Sequence, residues 1–220
     1  MDPIATTEEV VALPGRDVVL FKPADPDALL DKEAFERDEF LPYWADLWPS
    51  ALMLARRLIR TALRGAAVLE LGCGLGLPSI AAALAGGRVL ATDWSPEAVE
   101  FARRNAAANG VDLDVLVAAW GHPEELVDRG PWDLVLGADL LYEERNADAL
   151  LEVLPRLVAA HGSVQLADPG REPAERFLAR AADQWLVRTV EDAAPPRVAV
   201  HELRPRSATT SAVGALRRPV

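Results

Sequence analysis

Three closely spaced glycines follow a short apolar strand and precede an alanine-rich segment. The strand is predicted over Ala67–Leu71, and the glycines are Gly72, Gly74 and Gly76. A second apolar run ends at Asp93, 23 residues after an acid at position 70. A strand, a glycine loop, a helix and an acid-tipped strand are typical of a nucleoside-binding βαβ unit.

The glycine spacing argues against a dinucleotide. The dinucleotide fingerprint G-x-G-x-x-G requires a third glycine at position 77, where this chain has Leu77 followed by Pro78. A dinucleotide loop binds pyrophosphate through free backbone N–H groups at the helix start, and proline removes one of these donors. The loop therefore favours a ligand without phosphates over the nicotinamide cofactor of an oxidoreductase.

A second acid follows the predicted fourth strand, Trp132–Gly137. Asp139 lies just past the carboxyl end of this strand, and Tyr142 comes three residues later. Ligands of doubly wound sheets bind at that edge, close to the point where the strand order reverses. An acid at this point can contact a cofactor or an incoming nucleophile. The alternative is that Asp139 caps a helix and Tyr142 packs in the core.

Aromatic residues are concentrated in Pro42-Tyr43-Trp44-Ala45-Asp46-Leu47-Trp48-Pro49. Trp44 and Trp48 are four residues apart, so in a helical turn they share one face. Such a surface can close over a cofactor or stack on a cation. It can equally anchor the N-terminal segment on the sheet. Trp120, after the third strand, is open to the same two interpretations, a ligand contact or a core residue.

Strands and helices alternate from residue 67 onward. This alternation predicts an α/β fold with a mostly parallel sheet and helices on both faces. The last two strands are joined by a connection too short for a parallel crossover, so they are expected to be antiparallel. Strands are predicted over 67–71, 88–92, 113–118, 132–137, 163–167, 185–190 and 197–203, and helices over 51–64, 78–85, 96–109, 146–160 and 173–184.

Composition excludes several classes of function. The 220-residue chain has a formal net charge of −11, which disfavours general affinity for nucleic-acid phosphates. The acidity either attracts a basic partner or only keeps the protein in solution. Its single cysteine, Cys73, permits no intrachain disulfide, and neither a secretory signal nor a membrane-spanning run is recognised. We therefore expect a cytoplasmic protein, and the scattered histidines predict no metal site.

Several motifs carry a resemblance to a known family. The run Glu70-Leu71-Gly72-Cys73-Gly74-Leu75-Gly76 resembles motif I of the class I S-adenosylmethionine (SAM) methyltransferases. Asp139 and Tyr142 match the D-x-x-Y motif of the family-16 lysine methyltransferases. The aromatic run and Asp168-Pro169-Gly170-Arg171 are similar to features of the electron-transfer-flavoprotein β-subunit lysine methyltransferases and their bacterial relatives.

The resemblance implies a SAM site and a seven-stranded Rossmann-like sheet of order 3-2-1-4-5-7-6, with strand 7 antiparallel. It implies that Asp93 accepts hydrogen bonds from both ribose hydroxyls, and that Asp139 and Tyr142 form the catalytic side. Where relatives carry an acid before Trp120, this chain has Ala119, which removes a polar contact to adenine. The candidate cofactor-binding residues are Glu70, Gly72, Cys73, Gly74, Gly76, Asp93, Trp94, Trp120, Ala138 and Trp48.

The predicted organisation is an N-terminal extension over 1–40 that packs on the core, a methyltransferase domain over 41–205 and a flexible tail over 206–220. The predicted function is N-methylation of a protein lysine, with a lysine-bearing or basic protein as partner and neither nucleic acid nor membrane. Two alternatives stay open, N-methylation of a small molecule and SAM binding without catalysis. The acceptor, the number of methyl groups and the oligomeric state are not determined by the sequence.

Overall fold

The computed structural model describes residues 4–29, 42–191 and 197–206. Nine strands occur in these ranges. They are β1 (Thr6–Leu13), β2 (Arg16–Pro23), β3 (Ala67–Leu71), β4 (Arg88–Asp93), β5 (Asp114–Val117), β6 (Trp132–Ala138), β7 (Val158–Asp168), β8 (Trp185–Glu191) and β9 (Ala199–Pro205).

Six α-helices connect or flank the strands of the described ranges. They are α1 (Pro49–Leu58), α2 (Leu77–Leu84), α3 (Pro96–Ala108), α4 (Glu124–Asp128), α5 (Glu144–Leu157) and α6 (Glu172–Ala181). Ser95 caps α3, since its hydroxyl accepts a hydrogen bond from the Ala98 N–H at 3.2 Å. This cap satisfies one of the free N–H groups of the first turn.

Seven strands form one sheet in the order β5-β4-β3-β6-β7-β9-β8. When these strands are counted from β3, this is the predicted order 3-2-1-4-5-7-6. Strands β3, β4, β5, β6 and β7 are parallel, and β9 runs antiparallel to both β7 and β8. The order reverses between β3 and β6, so the crevice at their carboxyl ends is the expected place for a ligand.

The central strands are buried on both faces, and successive residues of β3 therefore serve different cores. Val68 packs with α1, α2, α3 and the β1–β2 hairpin. Leu69 and Leu71 pack on the opposite face, with α4, α5 and α6. Because side chains alternate across a strand, one five-residue apolar run holds both helical layers against the sheet.

The β1–β2 hairpin is tied to α3 by two asparagine side chains. Asn105 Oδ1 accepts a hydrogen bond from the Phe21 N–H at 2.7 Å, and Asn109 Oδ1 accepts one from the Val19 N–H at 2.9 Å. The two amide groups also donate to the carbonyls of the same strand residues. The amides thus complete the hydrogen bonding of a sheet edge, where unpaired backbone groups would otherwise remain.

Three predicted helix ends are corrected, and three elements were not predicted. Helix α1 ends at Leu58 rather than Arg64, and Arg64 takes a left-handed φ of 47° that no helix accommodates. Helix α5 ends at Leu157 rather than Ala160, because Val158 already pairs with Trp132 in the sheet. Helix α6 ends at residue 181 rather than 184. Strands β1 and β2 and helix α4 were not predicted.

Some predictions fall outside the described residues. They concern residues 1–3 and 30–40 of the extension and residues 207–220 of the tail. The division into extension, domain and tail stays a prediction. In the part of the chain that the structure describes, no helix has the length and apolar character needed to cross a membrane.

Candidate active site

A cavity of about 360 Å³ opens at the carboxyl ends of β3, β4 and β6. Every residue that the sequence proposes for the site lines this cavity. They are Trp48, Glu70, Gly72, Cys73, Gly74, Gly76, Asp93, Trp94, Trp120, Ala138, Asp139 and Tyr142. The folding of the chain therefore brings together two groups that are about 50 residues apart in sequence, one around the glycine loop and one after β6.

The glycine loop leaves β3 in a tight turn that needs glycine. All three glycines have positive φ, and an added Cβ on Gly76 would lie 2.9 Å from the Ala102 Cβ of α3. The Cys73 N–H donates to the Thr92 carbonyl at 2.8 Å, which holds the loop against the end of β4. Backbone conformation and close packing against α3 both require a residue without a side chain at position 76.

Asp93 is a buried carboxylate with free acceptor capacity. Its Oδ2 accepts a hydrogen bond from the Gly74 N–H at 3.0 Å, and its Oδ1 accepts one from the Ser95 N–H at 3.1 Å. The Trp94 N–H also donates to this carboxylate, so one of its four lone-pair positions remains free. Burial raises the pKa of Asp93, and its backbone hydrogen bonds oppose that rise. The remaining position can accept a hydrogen bond from a ribose hydroxyl, so this residue fits a nucleoside ligand.

Glu70 lies at the base of the glycine loop and is 1% exposed. Its Oε2 accepts a hydrogen bond from the Ser79 hydroxyl, while Oε1 has no hydrogen-bond partner among the described residues. Burial raises the pKa of Glu70 to about 8, and the nearby charge of Asp93 adds to the rise. At neutral pH the carboxyl group is therefore mostly protonated and can donate a hydrogen bond into the cavity.

Asp139 is held in an unusual backbone conformation on the other side of the cavity. Its φ of 59° is left-handed, and its N–H donates to the Ala167 carbonyl at 2.8 Å. Its Oδ1 accepts two hydrogen bonds from Arg171, from Nε at 3.0 Å and Nη2 at 2.6 Å, and its Oδ2 accepts one from the Ser50 hydroxyl at 3.0 Å. Three of the four acceptor positions are filled, and one remains on Oδ2.

Arg171 is positioned by the loop that follows β7. Asp168 Oδ1 accepts hydrogen bonds from the N–H groups of Gly170 at 2.7 Å and Arg171 at 2.8 Å. Gly170 has a φ of 90°, which turns the chain sharply after the aspartate. The Asp168-Pro169-Gly170-Arg171 segment is therefore a folded turn that directs a guanidinium group towards Asp139.

Three aromatic rings stand at the mouth of the cavity. Tyr43 makes edge-to-face contacts with Trp48, at 6.0 Å between ring centroids, and with Tyr142, at 5.4 Å. The Trp48 Nε1–H donates to the Tyr43 carbonyl at 2.7 Å. Burial raises the pKa of the Tyr142 hydroxyl, so it stays protonated at neutral pH.

The predicted helical face shared by Trp44 and Trp48 is wrong. Residues Tyr43–Ala45 form one 3-10 turn, and Trp48 is extended, with a ψ of 145°. Pro49 follows Trp48 and disfavours the helical conformation at the preceding residue. The side chains consequently separate. Trp44 packs on Phe101, at 5.4 Å between ring centroids, whereas Trp48 turns to Tyr43.

The remaining predicted residues differ in exposure. Trp94 is 42% exposed at the rim of the cavity, whereas Trp120 lines the cavity and also packs against the core on the α5 side of the sheet. Cys73 is buried, and burial raises the pKa of its thiol, so it does not form a thiolate nucleophile at neutral pH. Ala138 ends β6 next to Asp139.

Sequence reasoning did not identify Ser50, Arg171 or Tyr43 as site residues. Ser50 comes directly after the Trp-Pro pair, and Arg171 closes a segment that was noted only as a motif. Nothing in the local pattern joins either residue to Asp139. Within the described ranges, no group of three or more histidine, cysteine or acidic side chains is arranged to hold a metal ion.

The comparisons with known proteins agree with this geometry. Residues 43–184 match the lysine methyltransferase family, and this confirms the resemblance found in the sequence. Among solved structures, a ribosomal protein L11 methylase from Lactobacillus delbrueckii subsp. bulgaricus is 25% identical. The match covers 73% of this chain and 81% of that one, with a TM-score of 0.59. The fold is that of the class I methyltransferases, whose methyl donor is SAM.

Two curated relatives illustrate the range of acceptors. The chain is 40% identical to an electron transfer flavoprotein β-subunit lysine methyltransferase of Xenopus laevis, over 59% of this chain and 53% of that protein. It is 33% identical to a histone-arginine methyltransferase of Mus musculus, over 56% of this chain and 51% of that protein. The chain thus spans about half the length of these two relatives. By the match over residues 43–184, it belongs to the lysine methyltransferase family.

Proposed function

We propose that the protein transfers a methyl group from SAM to the side-chain amine of a protein lysine. One observation carries this proposal, namely that a single cavity has Asp93 on one side and Asp139 on the other. Asp93 ends β4 and Asp139 follows β6, the two strands on either side of β3. Both acids therefore lie beside the switch point between β3 and β6, where a doubly wound sheet binds its ligand. One side suits the nucleoside of the donor, and the other suits an incoming nucleophile.

The glycine-loop side is assigned to the cofactor. Asp93 binds the ribose with its remaining acceptor position, and the glycine backbone admits the methionine part. The protonated Glu70 offers one hydrogen-bond donor at the base of the loop. The other cofactor-binding residues of the proposal are Gly72, Cys73, Gly74, Gly76, Trp48, Trp94, Trp120 and Ala138, all of which line the cavity.

SAM supplies an activated methyl group. The lone pair of the amine forms the new N–C bond while the C–S bond breaks and leaves its electrons on sulfur. The nitrogen then releases a proton to solvent. The protein's part is to position the reacting groups. Asp139 Oδ2 has one free acceptor position, which takes one N–H of the amine and aims the lone pair. Tyr142 lines the path by which the lysine enters, together with Tyr43.

The charges of the chain support a cationic protein segment as the partner. The net charge is −11, and the acids Asp46 and Glu143 line the cavity. Like charge repels nucleic-acid phosphates, which bind through clustered lysine and arginine. We also propose a cytoplasmic location, consistent with a single cysteine that is buried in the glycine loop.

The test uses SAM with a labelled methyl group and a fractionated cell lysate. We expect label in the protein fraction, and mass spectrometry should find it on lysine. Asp139→Asn is expected to lower labelling about a hundredfold through misplacement of the amine. Its affinity for S-adenosylhomocysteine, measured by calorimetry, should change less than about threefold, since Asp139 is not assigned to the cofactor.

The matched control is Asp183→Asn, which changes an exposed aspartate and should label like the wild type. Label in the small-molecule fraction would support the alternative acceptor class, and label on arginine would contradict the lysine assignment. If the protein neither binds S-adenosylhomocysteine nor labels anything, the proposal fails as a whole.

A further inference from the structure

Arg171 is the one basic side chain among the described residues that line the cavity. The acidic lining residues are Asp46, Glu70, Asp93, Asp139 and Glu143. Arg171 does not face solvent as an isolated charge, because two of its nitrogens bond Asp139 Oδ1 and its side chain is 37% exposed. Arg171 is therefore the single positive charge of this lining, and it is held beside Asp139, the acid proposed to bind the acceptor amine.

The acceptor amine has to arrive at this acid without its proton. The lone pair that forms the new N–C bond is occupied in an ammonium group, and a free lysine has a pKa of about 10.4. An unpaired carboxylate close to the amine stabilises the charged form. Asp139 alone would therefore hold the acceptor in the state that cannot react.

The pair with Arg171 changes this situation. A bidentate arginine contact neutralises the carboxylate and fills both positions on Oδ1, while Ser50 fills one on Oδ2. The single remaining position suits one N–H of a neutral amine better than the three N–H groups of an ammonium. The same guanidinium also repels a second cation from the site.

The other charged groups around Asp139 do not replace this effect. Glu143 pairs with Arg145, and Asp46 is exposed to solvent, which screens its charge. Asp168 accepts a hydrogen bond from the Arg171 backbone and interacts electrostatically with Asp139 and Arg171, but its charge is negative and cannot replace the guanidinium. On the cofactor side, Glu70 is mostly protonated at neutral pH and Asp93 bonds the glycine loop. At the mouth of the cavity, burial raises the pKa of Tyr142, so its hydroxyl is neutral.

We propose that Arg171 is a positioning residue that neutralises Asp139, so that the acceptor amine binds deprotonated with its lone pair free. This role rests on the proposed function. It predicts that loss of the arginine charge impairs methyl transfer at neutral pH and that alkaline pH restores it.

The experiment compares the wild type with Arg171→Met and Arg171→Lys. Initial rates of methyl labelling of the lysate protein that the wild type labels are measured from pH 6.5 to 9.5, at saturating labelled SAM. For R171M, the rising limb of the profile is expected to move up by about one pH unit. This makes transfer about tenfold slower near pH 7 and close to the wild type at the alkaline end. R171K keeps the charge and should restore most of the profile.

Two further measurements separate this role from a structural one. Binding of S-adenosylhomocysteine by calorimetry should be the same, within about threefold, in the wild type and both variants. The double variant D139N/R171M removes both charges at once and leaves neither one unpaired. Its profile should have the wild-type midpoint at a lower rate, and this holds even if R171M alone folds poorly.

Three results would overturn the role of Arg171. They are an R171M rate reduced by the same factor at every pH, an R171K profile that stays shifted, and a double variant with the midpoint shifted as in R171M. A wild type that labels no protein would instead contradict the proposed function, and the role of Arg171 with it. A labelled protein with an unshifted R171M profile would contradict the role of Arg171 alone.

Discussion

The two sides of the cavity are built in different ways. The glycine-loop side, residues 70–95, is one continuous βαβ segment held by backbone hydrogen bonds to its own acids. The Asp139 side joins side chains from α1, the end of β6 and the turn after β7, namely Ser50, Asp139 and Arg171. The residues of the glycine-loop side all lie in one short segment of the chain. On the other side, Ser50 and Asp139 are 89 residues apart.

The two sides also differ in the electrostatic surroundings of their acids. On the glycine-loop side, burial raises the pKa of Glu70 and of Asp93, and no basic side chain of the described residues lines that side. On the other side, Asp139 is balanced by a guanidinium group. A site formed by the backbone of one segment suits a methyl donor that is the same in every reaction. A site formed by side chains from distant segments can be adapted to a different methyl acceptor by single substitutions.

The largest expected effect tests the glycine-loop side. Asp93→Ala should weaken binding of S-adenosylhomocysteine about a hundredfold or more, because a charge-assisted hydrogen bond to the ribose, worth about 1.5–3 kcal/mol, is lost and the Gly74 N–H of the glycine loop loses its acceptor. Calorimetry measures the affinity. The exposed Asp114 on β5 provides the control, and Asp114→Ala should bind like the wild type. An Asp93→Ala affinity within threefold of the wild type would remove the ribose assignment.

The next effect tests whether the glycine loop requires a residue without a side chain at position 76. Gly76→Ala should lower the free energy of unfolding by about 3 kcal/mol, of which about 1–2 kcal/mol is left-handed strain and the rest is crowding against Ala102. Gly110→Ala is the matched control, since its φ is +67° and nothing lies within 4 Å of an added Cβ. It should lose only the strain, about 1 kcal/mol. Equal losses in urea unfolding would show that the contact with α3 does not constrain the loop.

The smallest effect tests the protonation of Glu70. The folded-state pKa of about 8 lies above 4.5, the ordinary pKa of a glutamate side chain, so between these values the folded protein holds a proton that the unfolded chain releases. The stability contributed by this group is fully present below about pH 4.5 and is lost as the pH rises towards 8, by at most about 1.4 kcal/mol per pH unit. Glu70→Gln removes this dependence.

Urea unfolding of the wild type and of E70Q from pH 5 to 7.5 measures the difference. The stability of E70Q relative to the wild type should increase with pH. Glu124→Gln changes an exposed glutamate and should follow the wild-type curve. Parallel curves for E70Q and the wild type would mean that Glu70 is ionised in the folded protein and that the two sides of the cavity carry similar charge.

Much of the fold follows from local pattern. The strand–loop–helix run at residues 67–84 and the acid-tipped strand β4 were predictable because apolar strands and turn glycines act over short distances. Helix ends were less predictable. The end of α5 depends on the pairing of Val158 with Trp132, and the conformation of Trp48 depends on the proline after it. The proline after Trp48 is visible in the sequence, but the four-residue spacing of Trp44 and Trp48 suggested a helical turn instead.

The sequence by itself determined the family, and it predicted the residues proposed for the donor side, from Glu70 to Asp93. The required residue types lie in one segment, and their spacing favours their meeting at one end of the sheet. Only the tertiary structure decided that Ser50 and Arg171 share the carboxylate of Asp139, that the Trp44 and Trp48 side chains separate, and that burial raises the pKa of Glu70. These features depend on burial and on contacts between segments that are far apart in the chain, and no local spacing encodes either of them.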